Sequence, residues 1–172
     1  MRSLRLTLRS TGVDADDAYQ RITEFERYPD LVDEVRSVVV HPSDGPGPLV
    51  SDWDIFFRNG PLRWSEIDYI QRDTRRIVFE QTEGDFELFR GSWQVDTAEG
   101  GCEVVFEVTF DFGIPSLAGV LEPIATKVLK EAIATIVGSL LGNVTVLDDP
   151  AVAAVIRARF AGAAAPRPVS AA

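Results

Sequence analysis

From Val35 to Phe112 the chain is a succession of short apolar–polar alternations cut by turn signals, and from Leu117 onward the period becomes that of one long helix. The first half of that pattern dictates a sheet. Val35–Val40 runs into His41-Pro42-Ser43-Asp44-Gly45-Pro46-Gly47-Pro48, a turn-rich break. Leu49–Arg58 and Pro61–Gln71 flank Asn59-Gly60, the strongest short-range hairpin signal. Arg76–Thr82, Phe86–Val95 and Glu103–Phe112 follow, separated by Asp73-Thr74, Glu83-Gly84-Asp85 and Glu99-Gly100-Gly101. Then Leu117, Val120, Leu121, Ile124, Val128, Ile136, Val137, Leu140 and Leu141 make a broad apolar stripe ending near Gly142-Asn143. Pro123 either kinks that helix or marks its true start. A sheet with one long helix must curl around it to bury both apolar faces, and incomplete closure leaves a hollow of the kind that binds ligands.

Ahead of the meander, Leu4, Leu6 and Leu8 alternate with Arg5, Thr7 and Arg9 as a first strand. Asp14–Tyr19 opens a short helix with acids in its first turn, and Pro29 can open a second. The expected fold is α+β: a curved antiparallel sheet of about six or seven strands around a long C-terminal helix, with two short helices after the first strand and an internal hydrophobic cavity. Residues 1–147 form this domain, 148–160 a short helical extension and 161–172 an Ala/Pro-rich disordered tail.

Composition removes several function classes. A formal net charge of −10 repels phosphate backbones and anionic bilayers, so neither nucleic-acid binding nor stable membrane insertion is expected. The N-terminus alternates charge with Leu and has no apolar core of a signal peptide, so a cytoplasmic setting is expected. The single Cys102 forms no internal disulfide, and with His41 as the only histidine no zinc site of ordinary ligand type assembles. No nucleophile elbow, GxGxxG or P-loop occurs, and no cofactor is implied.

What remains is the inner face of the sheet. If Asn59-Gly60 is the two-residue turn, Arg58 faces Pro61, Phe57 faces Leu62, Ile55 faces Trp64 and Trp53 faces Glu66. Trp53, Ile55, Phe57, Leu62 and Trp64 then share the inner face, and alternation carries Glu66, Asp68 and Ile70 after them. Ile77, Phe79 and Gln81, then Phe89, Gly91, Trp93 and Val95, then Val104, Phe106, Val108 and Phe110 point the same way; Arg90 points out. Glu66 and Asp68 either lie under an aromatic lid, where a carboxyl's pKa rises and it can work as acid or base, or reach water at the strand's end. The three tryptophans serve as plain core or as ligand stackers, and Tyr19, Tyr28 and Tyr69 are candidate hydroxyl donors.

Phe25-Glu26-Arg27-Tyr28-Pro29-Asp30-Leu31, Asn59–Glu66, Gly84-Asp85-Phe86 with Gly91-Ser92-Trp93, and Phe110-Asp111-Phe112 before the long helix occur in an order that resembles the START-like helix-grip superfamily. Within it, the chain is most similar to the polyketide cyclase/dehydrase and lipid-transport group, over roughly residues 3–145. The resemblance implies a sheet gripping a helix around a hydrophobic cavity. Aromatase/cyclases of this group close a poly-β-ketone by aldol reaction and dehydration, in antibiotic biosynthesis. Trp93 matches their inward tryptophan, whereas Asp68 falls near their arginine and Val108 near their last-strand glutamine.

Three functions follow as expectations. The first is a cyclase, with Glu66 and Asp68 as acid–base groups. Its substrate would lie against Trp53, Ile55, Phe57, Trp64, Tyr69, Phe79, Gln81, Phe89, Trp93, Phe106, Val108, Phe110, Ile124 and Val128. A hydrophobic small molecule is then the substrate, and an acyl carrier protein is a partner the resemblance admits. The second is a carrier of an isoprenoid quinone or other lipid in the same cavity. The third is a partner-binding regulator, homodimeric through the exposed side of Val120–Leu141 and through Val152, Val155 and Ile156.

Overall fold

The structure, a computed structural model, describes residues 1–58 and 60–161. Eight antiparallel strands form one curved sheet: β1 (Arg2–Thr11), β2 (Val35–His41), β3 (Leu49–Phe57), β4 (Gly60–Gln71), β5 (Arg76–Gly84), β6 (Leu88–Ala98), β7 (Gly101–Asp111) and β8 (Val144–Val146). Their spatial order is β2-β3-β4-β5-β6-β7-β1-β8. The consecutive hairpins β2 to β7 need only short turns, and β1 closes the row by pairing with β7 over its whole length, Arg2↔Phe110 to Thr11↔Gly101. The small β8, which adds to the six or seven strands expected, pairs Leu8↔Val146 and Ser10↔Val144. Its three residues are too few to show alternation in the sequence.

Helix α1 (Ala15–Ile22) starts where Asp14 accepts from the Asp17 amide at 2.9 Å. Pro29 lies in the first turn of α2 (Tyr28–Leu31), where its missing N–H costs nothing. The long helix α3 (Ala118–Leu141) contains Pro123 in its second turn, so the helix begins ahead of the proline. Between Ala132 and Val137 every α3 residue is buried. The reason is α4 (Pro150–Phe160), which covers the side of α3 turned away from the sheet. A Cβ on Gly138 would come within 2.6 Å of the Phe160 ring, so glycine permits that closeness. Lys130 Nζ also meets Asp149 Oδ2 at 2.9 Å. Val152 and Ile156 are spent in this packing, at 4% and 3% exposure, and so do not supply the dimer surface expected of them. Among the described residues no helix is long and apolar enough to cross a membrane. The tail from 162 and Asn59 lie outside the described residues.

The β3–β4 register differs from the expected one. Phe57 pairs with Gly60, Ile55 with Leu62, Trp53 with Trp64 and Ser51 with Glu66. Phe57↔Gly60 is therefore the last pair before the turn, with Arg58 at φ 37°, and Gly60 is the first residue of β4. The partner of each residue moves by two positions, and a shift of two keeps every side chain on its face. The inner set therefore stands although the cross-strand pairs change.

Candidate functional site

Two tryptophans set the geometry. Trp53 and Trp64 sit opposite each other on β3 and β4, with ring centroids 6.0 Å apart and planes within 5°. Because the strands run antiparallel, each indole reaches the same cross-strand row by a contact two residues along its own strand. Trp53 Nε1 donates to Ser51 Oγ at 2.8 Å, and Trp64 Nε1 donates to Glu66 Oε2 at 2.7 Å. Ser51 in turn donates diagonally to Asp68 Oδ2 at 2.5 Å. A register irregularity between Ser65↔Glu83 and Glu66↔Gln81 lies beside this row, leaving Thr82 unpaired in the ladder.

Glu66 is 4% exposed and Asp68 fully buried, so the expectation that the acidic strand projects inward under an aromatic lid holds in preference to solvent exposure. Burial pushes the Glu66 carboxyl well above the ordinary carboxylate range, and the neighbouring Asp68 charge adds to the rise. Asp68 is raised too, by burial, against the opposing hydrogen bonds of Glu66 and Ser51, which favour its ionised form. Two buried carboxyls side by side share a proton when no cation compensates them. Among the lining residues there is no Lys, Arg or His. Both carboxyls are held toward the neutral form, Glu66 more strongly than Asp68. Asp68 Oδ1 is buried and has no N–H or hydroxyl partner.

The cavity is lined by Phe25, Tyr28, Val35, Trp53, Ile55, Trp64, Glu66, Phe79, Phe89, Trp93, Phe106, Val128, Leu129, Ala132, Ile133 and Ile136. Its volume is small, about 50 Å³. It is a slot between rings, and a larger ligand must part them. Phe79 lies over Gly91, where a Cβ would meet its ring at 2.7 Å and the Glu107 carbonyl at 2.0 Å. The missing side chain is what lets that ring form the floor.

Of the sequence-predicted residues, Trp53, Ile55, Trp64, Glu66, Phe79, Phe89, Trp93, Phe106 and Val128 meet at this slot. Others do not reach it. Tyr69 alternates to the outer face and is 43% exposed. Asp68 stands behind Glu66, buried but not lining the slot. Phe57 packs against Phe86 near the β3–β4 turn. Gln81 is turned to the β5–β6 connection, donating to the Phe86 carbonyl at 2.8 Å. Val108 and Phe110 are buried in the core beyond the slot, and Ile124 sits on α3 a turn before Val128, partly buried. Sequence reasoning missed Phe25, Tyr28 and Val35 as lining groups, and Leu129, Ala132, Ile133 and Ile136 on α3. For α3 the signal was the helical spacing itself; for Phe25 and Tyr28 it was the aromatic pair around the helix break. Tyr28 is no free donor, since its hydroxyl is given to the Ile22 carbonyl at 2.6 Å. Nor is His41 a catalyst: it lies 2.8 Å from Asp52 on the outer face of the sheet.

The family model described as polyketide cyclase/dehydrase and lipid transport matches residues 11–137. Solved structures share the fold. TTHA0849 from Thermus thermophilus is 23% identical, with a TM-score of 0.72 over 83% of this chain and 96% of that one. The Zhui aromatase/cyclase from Streptomyces sp. R1128 is 18% identical, with a TM-score of 0.58 over 94% and 99%. A START superfamily protein from Mycobacterium smegmatis is 15% identical, with a TM-score of 0.66 over 81% and 96%. No curated protein matches the chain significantly.

Proposed function

The chain belongs to the polyketide cyclase/dehydrase and lipid-transport family, and on that premise we propose that its slot holds a hydrophobic polyketide-type substrate and promotes cyclisation and dehydration. The observation that carries this reading is the Glu66–Asp68 pair, one carboxyl lining an aromatic slot and the other behind it. Such a pair moves protons in both directions. One Glu66 oxygen takes the acidic proton from the carbon between two carbonyls while the other passes its proton to Asp68. The resulting enolate carbon bonds to a second carbonyl carbon folded against it. Glu66 then protonates the new alkoxide and recovers its proton from Asp68. In dehydration the same exchange removes the next α-proton and delivers a proton to the hydroxyl, which leaves as water. The pair ends as it began.

The slot supplies the rest by proximity. Trp53, Trp64 and Trp93 offer ring faces, and Ile55, Phe79, Phe89, Phe106 and Val128 shape the fold of the chain. An acyl carrier protein is the partner that would present such a chain. Residues 1–147 supply this activity in our reading, and 148–160 brace α3.

The test is turnover of a short poly-β-ketone thioester, read by mass spectrometry as a cyclised product with loss of water. Glu66→Gln is expected to lower the rate about 10²–10⁴-fold. Gln keeps an acceptor for Trp64 and a donor for Asp68, so the fold should survive. Full activity in that variant would remove acid–base catalysis. Native mass spectrometry of the freshly purified protein separates simple carriage, which would show a bound long-chain lipid.

A further inference from the structure

We propose that Ser51, braced by Trp53, is the positioning residue that keeps the charge of the carboxyl pair on Asp68 and its proton on Glu66; this rests on the acid–base reading of that pair. Ser51 is fully buried on β3 and has one hydroxyl proton. Trp53 Nε1 points at its oxygen at 2.8 Å, which leaves that proton free to be aimed at Asp68. A serine hydroxyl that accepts from an indole keeps its single proton for another acceptor, and here Asp68 Oδ2 receives it. A donor aimed at Asp68 favours its ionised form over its neutral one. On the other side Trp64 donates to Glu66, and an acid can accept that bond on its carbonyl oxygen. Both indoles favour an ionised Glu66, and Trp53 reaches Asp68 only through Ser51.

No other group competes for the assignment. β5 brings Phe79 and Gln81 to this row, and the Gln81 amide is committed to the Phe86 carbonyl. α2 brings the neutral Tyr28, whose hydroxyl is committed to Ile22, with Glu24 acting on it from beyond. α3 brings only apolar side chains. The charge of the pair is thus placed by Ser51 alone among hydroxyl and amide donors from neighbouring strands.

The pair titrates in two steps. The lower step ionises Asp68 and is held down by Ser51. The upper step ionises Glu66 while Asp68 is already charged, so Ser51 contributes equally before and after it. Carbon-13 NMR of the ligand-free, full-length protein, with labelled carboxyl carbons assigned through Asp68→Asn and Glu66→Gln, reads both steps. Ser51→Ala should move the lower step up by about one pH unit, the loss of a charge-assisted hydrogen bond. The upper step should stay in place, and Ser51→Thr should restore the lower one. Trp53→Phe should move the lower step the same way by less, and it decides the question if Ser51→Ala fails to fold. Unchanged lower steps in the folded variants would overturn the proposal. The cyclase reading falls separately: a shifted step with full turnover in Glu66→Gln leaves the positioning role standing and removes the catalytic one.

Discussion

Asp52 and Asp68 each accept a hydrogen bond from a serine across the β3–β4 ladder. On the outer face Ser65 donates to Asp52 at 2.6 Å, and on the inner face Ser51 donates to Asp68 at 2.5 Å. The two carboxyls nevertheless move in opposite directions. Asp52 is held below the ordinary range, by Ser65 first and by His41 second, while its side chain stays 46% exposed. Asp68 is raised because burial outweighs the same kind of bond. A serine donor lowers both acids, and the degree of burial decides the net direction of the shift. The outer face spends its acids on ordinary ion pairs, such as Arg63 with Asp54 at 3.0 Å. The inner face keeps two acids with no Lys, Arg or His among the residues that line the slot.

That contrast is most easily broken at Trp64 and its outward neighbour. Trp64 is 5% exposed, stacks on Trp53 and donates to Glu66. Trp64→Ala should cost about 3–5 kcal/mol in urea unfolding. Arg63→Ala removes an ion pair whose arginine is 65% exposed, and should cost under about 1 kcal/mol. Equal costs would mean that the slot is not packed as described.

The next test is the pH dependence of stability. Glu66 binds its proton more tightly folded than unfolded, so between the unfolded value, about 4.3, and its raised folded value the native state holds the extra proton. Stability should therefore fall as pH rises through that window, with a limiting slope of about 1.4 kcal/mol per pH unit. Above the folded value it should level off. Glu66→Gln should flatten this limb while leaving acid stability unchanged. A wild-type profile with no fall above the ordinary glutamate range would place Glu66 in water.

Much of this was legible in the sequence, for reasons that differ by residue. Period-two alternation fixes faces, so Trp64, Glu66 and Asp68 could be put inside before their partners were known. Alternation also survives the error made at the 57–60 turn, because the true register differs by two. It does not say how deep a residue lies along the sheet, so Phe57, Val108 and Phe110 share the inner face without reaching the slot. Tyr69 departed from the alternation rule itself. Ser51 carried no signal of its own: a small polar residue beside a tryptophan gains meaning only once the diagonal neighbour is known to be an acid. The share of the slot built by α2 and α3 depends on where the helices cross the sheet, which periodicity does not report.

The smallest effect belongs to the outer carboxylate, and it has the opposite sign. Because the folded-state pKa of Asp52 is depressed, its contribution is present above the unfolded aspartate value, about 3.9, and is lost as pH falls through the folded one. Asp52→Asn should thus cost at most a few tenths of a kcal/mol at neutral pH, since solvent screens a group this exposed. The difference should vanish in acid and shrink in 1 M salt, where charges interact over only about 3 Å. Paired with Glu66→Gln, which matters only above the ordinary carboxylate range, it gives two acid-to-amide variants on neighbouring strands whose effects lie at opposite ends of the pH scale. A cost for Asp52→Asn that persists unchanged in acid would mean that packing, rather than charge, distinguishes the two faces.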